Sequence, residues 1–433
     1  MYEIIIGREE EDRQKFGLEG AFLLGKHYVM MGHTTSLSTP VFMDVLRPHV
    51  VFICGKRGSG KSYSLAAMIE GMFSLPASTK KNLSAVIIDT MGIFWTMKYE
   101  NKRDRKLIDK WGLNFQKLNT KTYVPMGQFE EMEKQGMADA CFSIRPSELS
   151  ATEWCMTFST PVDSPVGVII SRAVNEVKKH KKEYSVKDLI SEIRDDLKAE
   201  QHVKDAAENH FAVADSWGLF SEKGSSFREF DIGGQITIID VSRYASLTGS
   251  KSIRALVIGL ICQKIFAQKM STRKQEELGE IKTSGLLAEQ PKKEKKPITW
   301  VFVDEAHEFL PKTGETTATK ALLTLLREGR QPGISLVLAS QQPGQIHTDV
   351  ITQADSVLAH RITAKIDIEA LGELMQSYMR ETLDKAINDL PRVKGAALIF
   401  DDINERIYSI QVRPRITWHG GESPTTMQKK DVF

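Results

Sequence analysis

The sequence predicts an α/β fold: a mainly parallel sheet covered by helices on both faces, with an inserted helical subdomain and a small β-rich N-terminal unit. Three observations carry this prediction. Continuously apolar runs recur between helical patterns: HVVFIC at 49–54, AVIID at 85–89, ITIIDV at 236–241, WVFVDE at 300–305, ISLVLAS at 334–340 and ALIFDD at 397–402. Strands that are apolar on both faces belong to parallel sheets flanked by helices on both sides. Between residues 141 and 230 the pattern changes to amphipathic helices with charged faces, as in VGVIISRAVNEVKKH and VKDLISEIRDDLKAE. Ahead of His49 lie only short apolar runs, Tyr2–Ile6, Ala21–Leu24 and Tyr28–Met31, separated by charged or glycine-containing stretches that suit a few short strands.

These shifts divide the chain into an N-terminal unit over 1–48, a core in two parts over 49–140 and 231–412, a helical insertion over 141–230 and a C-terminal tail over 413–433. Within the second part, the stretch 271–297 lacks aromatics and ends in a lysine-rich run, which predicts a mobile surface loop. A chain of 433 residues with 41% hydrophobic content is long enough to bury a full-size core. Its 58 Lys and Arg against 56 Asp and Glu leave it almost neutral, so any contact with nucleic acid has to come from local basic patches. Cys54, Cys141, Cys155 and Cys262 show no CxxC spacing, which argues against a zinc site or a disulfide framework and favours a reducing compartment. No apolar run approaches the roughly 20 residues of a membrane span. The acidic stretch after MYEIII is unlike a signal peptide, so the expected location is cytoplasmic.

The chemistry concentrates in GKRGSGKS at 55–62, which follows an apolar strand and opens a helical pattern, the context that a Walker A motif requires. Glycines let successive backbone N–H groups turn inward around phosphate, and the helix N-terminus adds its partial positive charge. The predicted nucleotide-binding set is Gly55, Lys56, Arg57, Gly58, Ser59, Gly60, Lys61, Ser62 and the adjoining Tyr63. Lys61 is assigned to the β- and γ-phosphates and Ser62 to Mg²⁺, which defines a RecA-like P-loop NTPase core with ATP and Mg²⁺ as its ligands.

WVFVDEAH at 300–307 puts two carboxylates at the exit of a buried strand. On its own this reads equally as a capped strand end. Beside a Walker A motif, Asp304 becomes the residue that holds Mg²⁺ and Glu305 the residue that polarises the attacking water. The letters DEAH also occur in superfamily 2 helicases, but no arginine-rich QRxGRxGR-like motif follows, so that reading is rejected; His307 is expected to be structural. After the next helix a strand ends in Ser340-Gln341-Gln342, and Gln341 is the candidate γ-phosphate sensor. Arg327 and Arg330 lie at the end of the helix before that strand. There a cation either complements the helix dipole or serves a neighbouring subunit's phosphate.

The order Walker A, VIIDTMG at 86–92, helical insertion, TIIDVS at 237–242, VFVDEAHEFLP at 301–311, REGRQPGISLVLASQQP at 327–343, LAHRI at 358–362, LPRVKGAALIFDD at 390–402 and VRPRITWHGG at 412–421 resembles the HerA branch of the HerA–FtsK ATPases. The resemblance runs from about His49 to Gly421. It implies an ATP-hydrolysing, homohexameric double-stranded DNA translocase or helicase. Such enzymes often work beside a nuclease, typically of the NurA type, in DNA end processing, repair or defence. It assigns Lys61, Ser62, Asp304 and Glu305 to hydrolysis, Gln341 to sensing, Arg330 to a finger acting in trans, and VRPRITWHGG to a tail that braces a neighbouring protomer. Only 48 residues precede His49, fewer than the barrel of that family occupies, so a shortened or incomplete barrel is expected here. The alternative is a conjugation- or secretion-type motor that moves protein or a protein–DNA complex. Such motors usually carry or dock on a membrane segment, which this sequence lacks.

Overall fold

The computed structural model describes residues 3–31, 34–247, 250–284, 296–372, 386–387 and 389–421. Thirteen strands among them form one sheet: β1 (Ile4–Ile6), β2 (Ala21–Met31), β3 (Thr34–Asp44), β4 (Val50–Cys54), β5 (Leu83–Asp89), β6 (Thr120–Pro125), β7 (Ala140–Phe142), β8 (Ile236–Asp240), β9 (Ile298–Val303), β10 (Ile334–Ser340), β11 (Ser356–His360), β12 (Ala396–Asp401) and β13 (Arg406–Val412). Their spatial order is β1-β3-β2-β13-β12-β11-β4-β10-β9-β5-β8-β6-β7.

From β11 to β7 every neighbouring pair is parallel, whereas β12, β13, β2 and β3 pair antiparallel. ALIFDD at 397–402 therefore lies in a sheet of mixed direction, because β12 returns through a tight turn into β13 with Glu405 at φ 51°. The N-terminal strands do not close into a body of their own. β2 pairs with β13 and extends the central sheet.

Side chains alternate across the pleat. Val50, Phe52 and Cys54 of β4 face one apolar cluster, while Val51 and Ile53 face the other. The second face is covered by α1 (Lys61–Phe73) through Leu65, Met68, Ile69 and Met72. The first face carries the inserted helices α2 (Ala151–Thr157), α3 (Pro165–His180), α4 (Val186–Asp195) and α5 (Gln201–Ser216). Two capping boxes, Ser150 with Glu153 and Ser185 with Asp188, start α2 and α4 by satisfying orphan N–H groups on both sides of each cap. Trp154 anchors the insertion, its ring 5.0 Å from both Phe211 and Phe220.

The same face carries α6 (Ser250–Ser284) and α7 (Thr319–Glu328). The loop expected over 271–297 is thus helical up to Ser284, and 285–295 lie outside the described residues. Arg273 pairs with Glu276 and Glu277 at helical spacing, so charges that read as a solvated loop instead support one more turn of helix.

Candidate nucleotide-binding site

The parallel register brings the carboxyl ends of β4, β10 and β9 side by side, with Ser340 opposite Cys54 and Leu338 opposite Val303. The loop 55–60 leaves β4 at this edge and turns into α1. Gly60 caps the helix at φ 114°, a backbone angle L-residues avoid, and a Cβ on Gly55 would stand 2.6 Å from Cβ of His360. A Cβ on Gly58 would meet nothing within 4 Å, and Ser59 Oγ is buried without a hydrogen-bond partner among the described residues.

Lys61 is 5% exposed and, among the described residues, donates only to the Lys56 carbonyl, at 3.3 Å, within its own loop. Burial lowers its pKa against the opposing pull of Glu305 and Asp304. Ser62 Oγ donates to Asp304 Oδ2 at 2.6 Å, while Asp304 Oδ1 accepts from the Glu305 N–H at 2.9 Å. Burial, reinforced by the adjacent Glu305 charge, raises the Asp304 pKa. Glu305 itself sits at φ 52°, a left-handed conformation that costs a non-glycine residue about 1 kcal/mol or more. Its Oε1 accepts from Gln341 Nε2, and its Oε2 is buried without a hydrogen bond. His307 Nδ1 lies 3.6 Å from Glu305 Oε2 and 3.3 Å from Ser340 Oγ, so this histidine lines the site. Five of the sequence-predicted residues, Lys61, Ser62, Asp304, Glu305 and Gln341, therefore converge at one sheet edge.

These side chains fit Mg²⁺ and a nucleoside triphosphate. A buried cation with one weak partner, a carboxylate bonded to a hydroxyl and an open glycine cradle are complementary to phosphate and a divalent cation. Behind the loop, His360 donates from Nδ1 to the Ala396 carbonyl at 3.1 Å and accepts at Nε2 from Ser64 Oγ at 2.9 Å. Burial holds its pKa down at about 4, so it stays neutral and braces the loop without repelling Lys61.

Two predicted elements fall elsewhere. Arg330 lies at the amino edge of the sheet, before β10, where it pairs with Asp355; it does not reach its own chain's Lys61 or Glu305. The tail is also bound to its own chain. Buried Glu70 of α1 accepts from Arg415 Nε at 3.0 Å, the Ile416 N–H at 2.7 Å, the Thr417 N–H at 3.3 Å and the Thr417 hydroxyl. Within this chain Arg413, Arg415, Ile416 and Thr417 are each 2% exposed or less, while Trp418 beyond them is exposed; residues 422–433 lie outside the described set. Tyr63 serves the same clamp: its hydroxyl accepts from the Arg415 N–H at 2.7 Å and its ring meets His419 edge-on.

Sequence reasoning assigned no role to Asp89 or Asp240, which stand opposite each other at the ends of β5 and β8. Asp89 accepts the N–H groups of Met91, Gly92 and Phe94, and burial raises its pKa to about 8. The motifs VIIDTMG and TIIDVS mark both positions without saying what the carboxylates do.

A glycine loop between a buried parallel strand and a helix, with Lys61–Ser62 opposite an acid pair on a strand two places away, defines a P-loop NTPase. The model of the HerA helicase central domain matches residues 29–265, and the chain belongs to that family. A probable DNA double-strand break repair helicase HerA of Methanocaldococcus jannaschii is 32% identical over 112 residues, 25% of this chain and 22% of that protein. The DNA double-strand break repair helicase HerA of Pyrococcus furiosus is 28% identical over 124 residues, 29% of this chain and 22% of that one. The matched region thus spans about a fifth of each of these curated relatives. In fold, the chain is similar to VirB4 of Thermoanaerobacter pseudethanolicus, with 13% identity, a TM-score of 0.54 and coverage of 92% of this chain and 97% of that one. None of the helices among the described residues is long and apolar enough to cross a membrane.

Proposed function

We propose that this protein is an ATP-driven motor that moves along double-stranded DNA as a homohexameric ring, beside a nuclease of the NurA type or another effector. The observation that carries the reading is the convergence of Lys61, Ser62, Asp304, Glu305 and Gln341 at one sheet edge in a chain of the HerA family. The names of its relatives, DNA double-strand break repair helicases, support DNA as the track.

In this reading the glycine loop and Lys61 bind the phosphates, and Ser62 and Asp304 hold Mg²⁺. Bound Mg²⁺ neutralises charge developing on the phosphate oxygens. Glu305 accepts the proton of the attacking water. Gln341 exchanges its bond to Glu305 for the γ-phosphate and so releases the carboxylate when triphosphate is present. Arg330 faces away from its own phosphates and serves those of the adjacent protomer, where such a cation is worth roughly 10³–10⁵ in rate.

The test is ATP hydrolysis with and without duplex DNA at several salt concentrations. Strong stimulation by duplex, weakening steeply with salt and indifferent to sequence, is expected for contacts made through phosphates. Indifference to duplex combined with stimulation by a protein partner would overturn DNA as the track and support a motor that moves protein.

A further inference from the structure

Arg330 emerges from the turn between α7 and β10 and donates from Nη2 to Asp355 Oδ2 at 2.6 Å. The same oxygen accepts from the Val50 N–H and from His49 Nδ1, both at 3.2 Å. On its other side His49 Nε2 meets Asp44 Oδ2 at 3.0 Å, and Arg8 Nε donates to Asp44 Oδ1 at 2.7 Å. Asp355 is thus held by two groups other than Arg330, one of them the backbone of β4 itself.

Two features set Arg330 apart from the rest of this network. Its side chain is 56% exposed, whereas that of Asp355 is 4% exposed. A guanidinium presents five N–H donors in a rigid fork, and carboxylates usually take two of them in parallel. Here, among the described residues, a single donor is engaged and Asp355 Oδ1 is buried with no hydrogen bond. One edge of the fork is anchored, and the rest of a rigid, permanently charged group remains accessible at the surface.

We propose that Asp355 is the positioning residue of Arg330: it fixes one edge of the guanidinium so that the other edge is presented to a phosphate bound by the adjacent protomer, while His49 keeps Asp355 in place. The inference rests on the reading of Arg330 as a cation acting in trans. Burial pushes His49 down, but its hydrogen bonds to Asp355 and Asp44 prevail and bring it up to about 9, so a protonated ring stands between the two acids. Asp355 also bonds the first residue of β4, and the last residue of β4 leads into the chain's own phosphate loop. Five strand residues span about 16 Å. A single stiff strand therefore joins the arginine offered to the neighbour to the loop that holds the protomer's own nucleotide.

The experiment compares Asp355→Asn, Arg330→Lys, their double variant and Arg330→Ala in the assembled protein. It measures kcat, affinity for a fluorescent ATP analogue and thermal melting. Misplacement of a catalytic group by about 1 Å costs up to roughly 10²-fold, so Asp355→Asn should lower kcat by about tenfold to 10²-fold. Nucleotide affinity should stay within twofold, because the protomer's own cradle is untouched. The double variant should turn over no more slowly than Arg330→Lys alone, which a merely structural role of Asp355 would not produce. If Asp355→Asn fails to fold, His49→Gln, which loosens the same carboxylate from behind, should show the same kcat loss at constant nucleotide affinity. Unchanged kcat in the folded variants, or losses that multiply in the double variant while Arg330→Ala is inactive, would overturn the positioning role and leave the trans reading standing. Full activity of Arg330→Ala would remove the trans reading and this inference with it.

Discussion

The two edges of the central sheet carry similar side chains in opposite conditions. At the carboxyl edge Lys61, Asp304 and Glu305 are each 8% exposed or less and incompletely matched: burial lowers the lysine pKa, raises the aspartate pKa and leaves Glu305 Oε2 without a hydrogen bond. At the amino edge Arg8, Asp44, His49 and Asp355 are equally buried but form an alternating chain of charges joined at 2.5 to 3.2 Å. Charges buried without full compensation are costly, and a protein keeps them where a ligand will complete the set. The comparison sets an incompletely matched lysine and two acids apart from charges that pair with one another, where Asp355 Oδ1 is the exception.

The largest effect should come at the carboxyl edge. Glu305→Gln is expected to lower phosphate release by about 10²–10⁴-fold while retaining Mg·ATP, since it removes the base and keeps the shape. Lys61→Ala should instead lose nucleotide binding with the fold intact. Equal loss of binding in both variants would erase the division of labour within that edge.

At the amino edge the readout is stability. Asp44→Ala leaves Arg8 and His49 without their shared carboxylate and should cost about 3–5 kcal/mol in denaturant unfolding. The same network carries a pH signature. His49 faces Asp44 from β3, Asp355 ahead of β11 and the Trp300 ring on β9, with Arg8 and Arg330 behind the acids. Its pKa is about 9 in the fold against 6.5 ordinarily, so it binds its proton more tightly when folded. That contribution is fully present below about pH 6.5 and is lost as pH rises through about 9. A melting temperature in His49→Gln that falls between pH 7 and 9.5 as steeply as in the parent would refute it.

Ligand should distinguish the edges next. Mg·ATP at 100 times its dissociation constant adds about 2.7 kcal/mol of stability to whatever binds it. The gain should persist in Asp44→Ala and vanish in Lys61→Ala; a gain lost in both would mean that the edges are not separate. The smallest effect is reserved for Arg327, whose Nη2 lies 2.5 Å from Asp349 with both side chains partly exposed. Arg327→Ala should cost less than about 1 kcal/mol and leave turnover unchanged, which a kinetic trace alongside Arg330→Ala would check.

Much of the carboxyl edge is legible in the sequence, because its members occupy short contiguous motifs: eight residues from Gly55 to Ser62, and an acid pair closing an apolar run. The amino edge is not. His49 and Asp355 are 306 residues apart and Arg8 and Asp44 are 36 apart, and no local pattern announces such pairs. Strand β6 escapes notice because TKTYVP is too polar to stand out, β7 because ACF is too short, and β3 because TTSLSTPVFMD begins as a polar stretch. The tail is only half legible. VRPRITWHGG is readable as a motif, but its partner Glu70 looks like an ordinary helix-surface acid until the fold buries it.

That glutamate has a consequence in time as well as in space. Its carboxylate receives two backbone N–H groups and two side chains from residues 415–417 while standing on the helix that begins at Lys61. Opening either partner would strand a buried charge, so the segments should open together as one cooperative unit. Amide exchange at Ile416 and Thr417 should therefore report on the helix of the phosphate loop, slowing when nucleotide is added although neither residue is among those proposed to bind it.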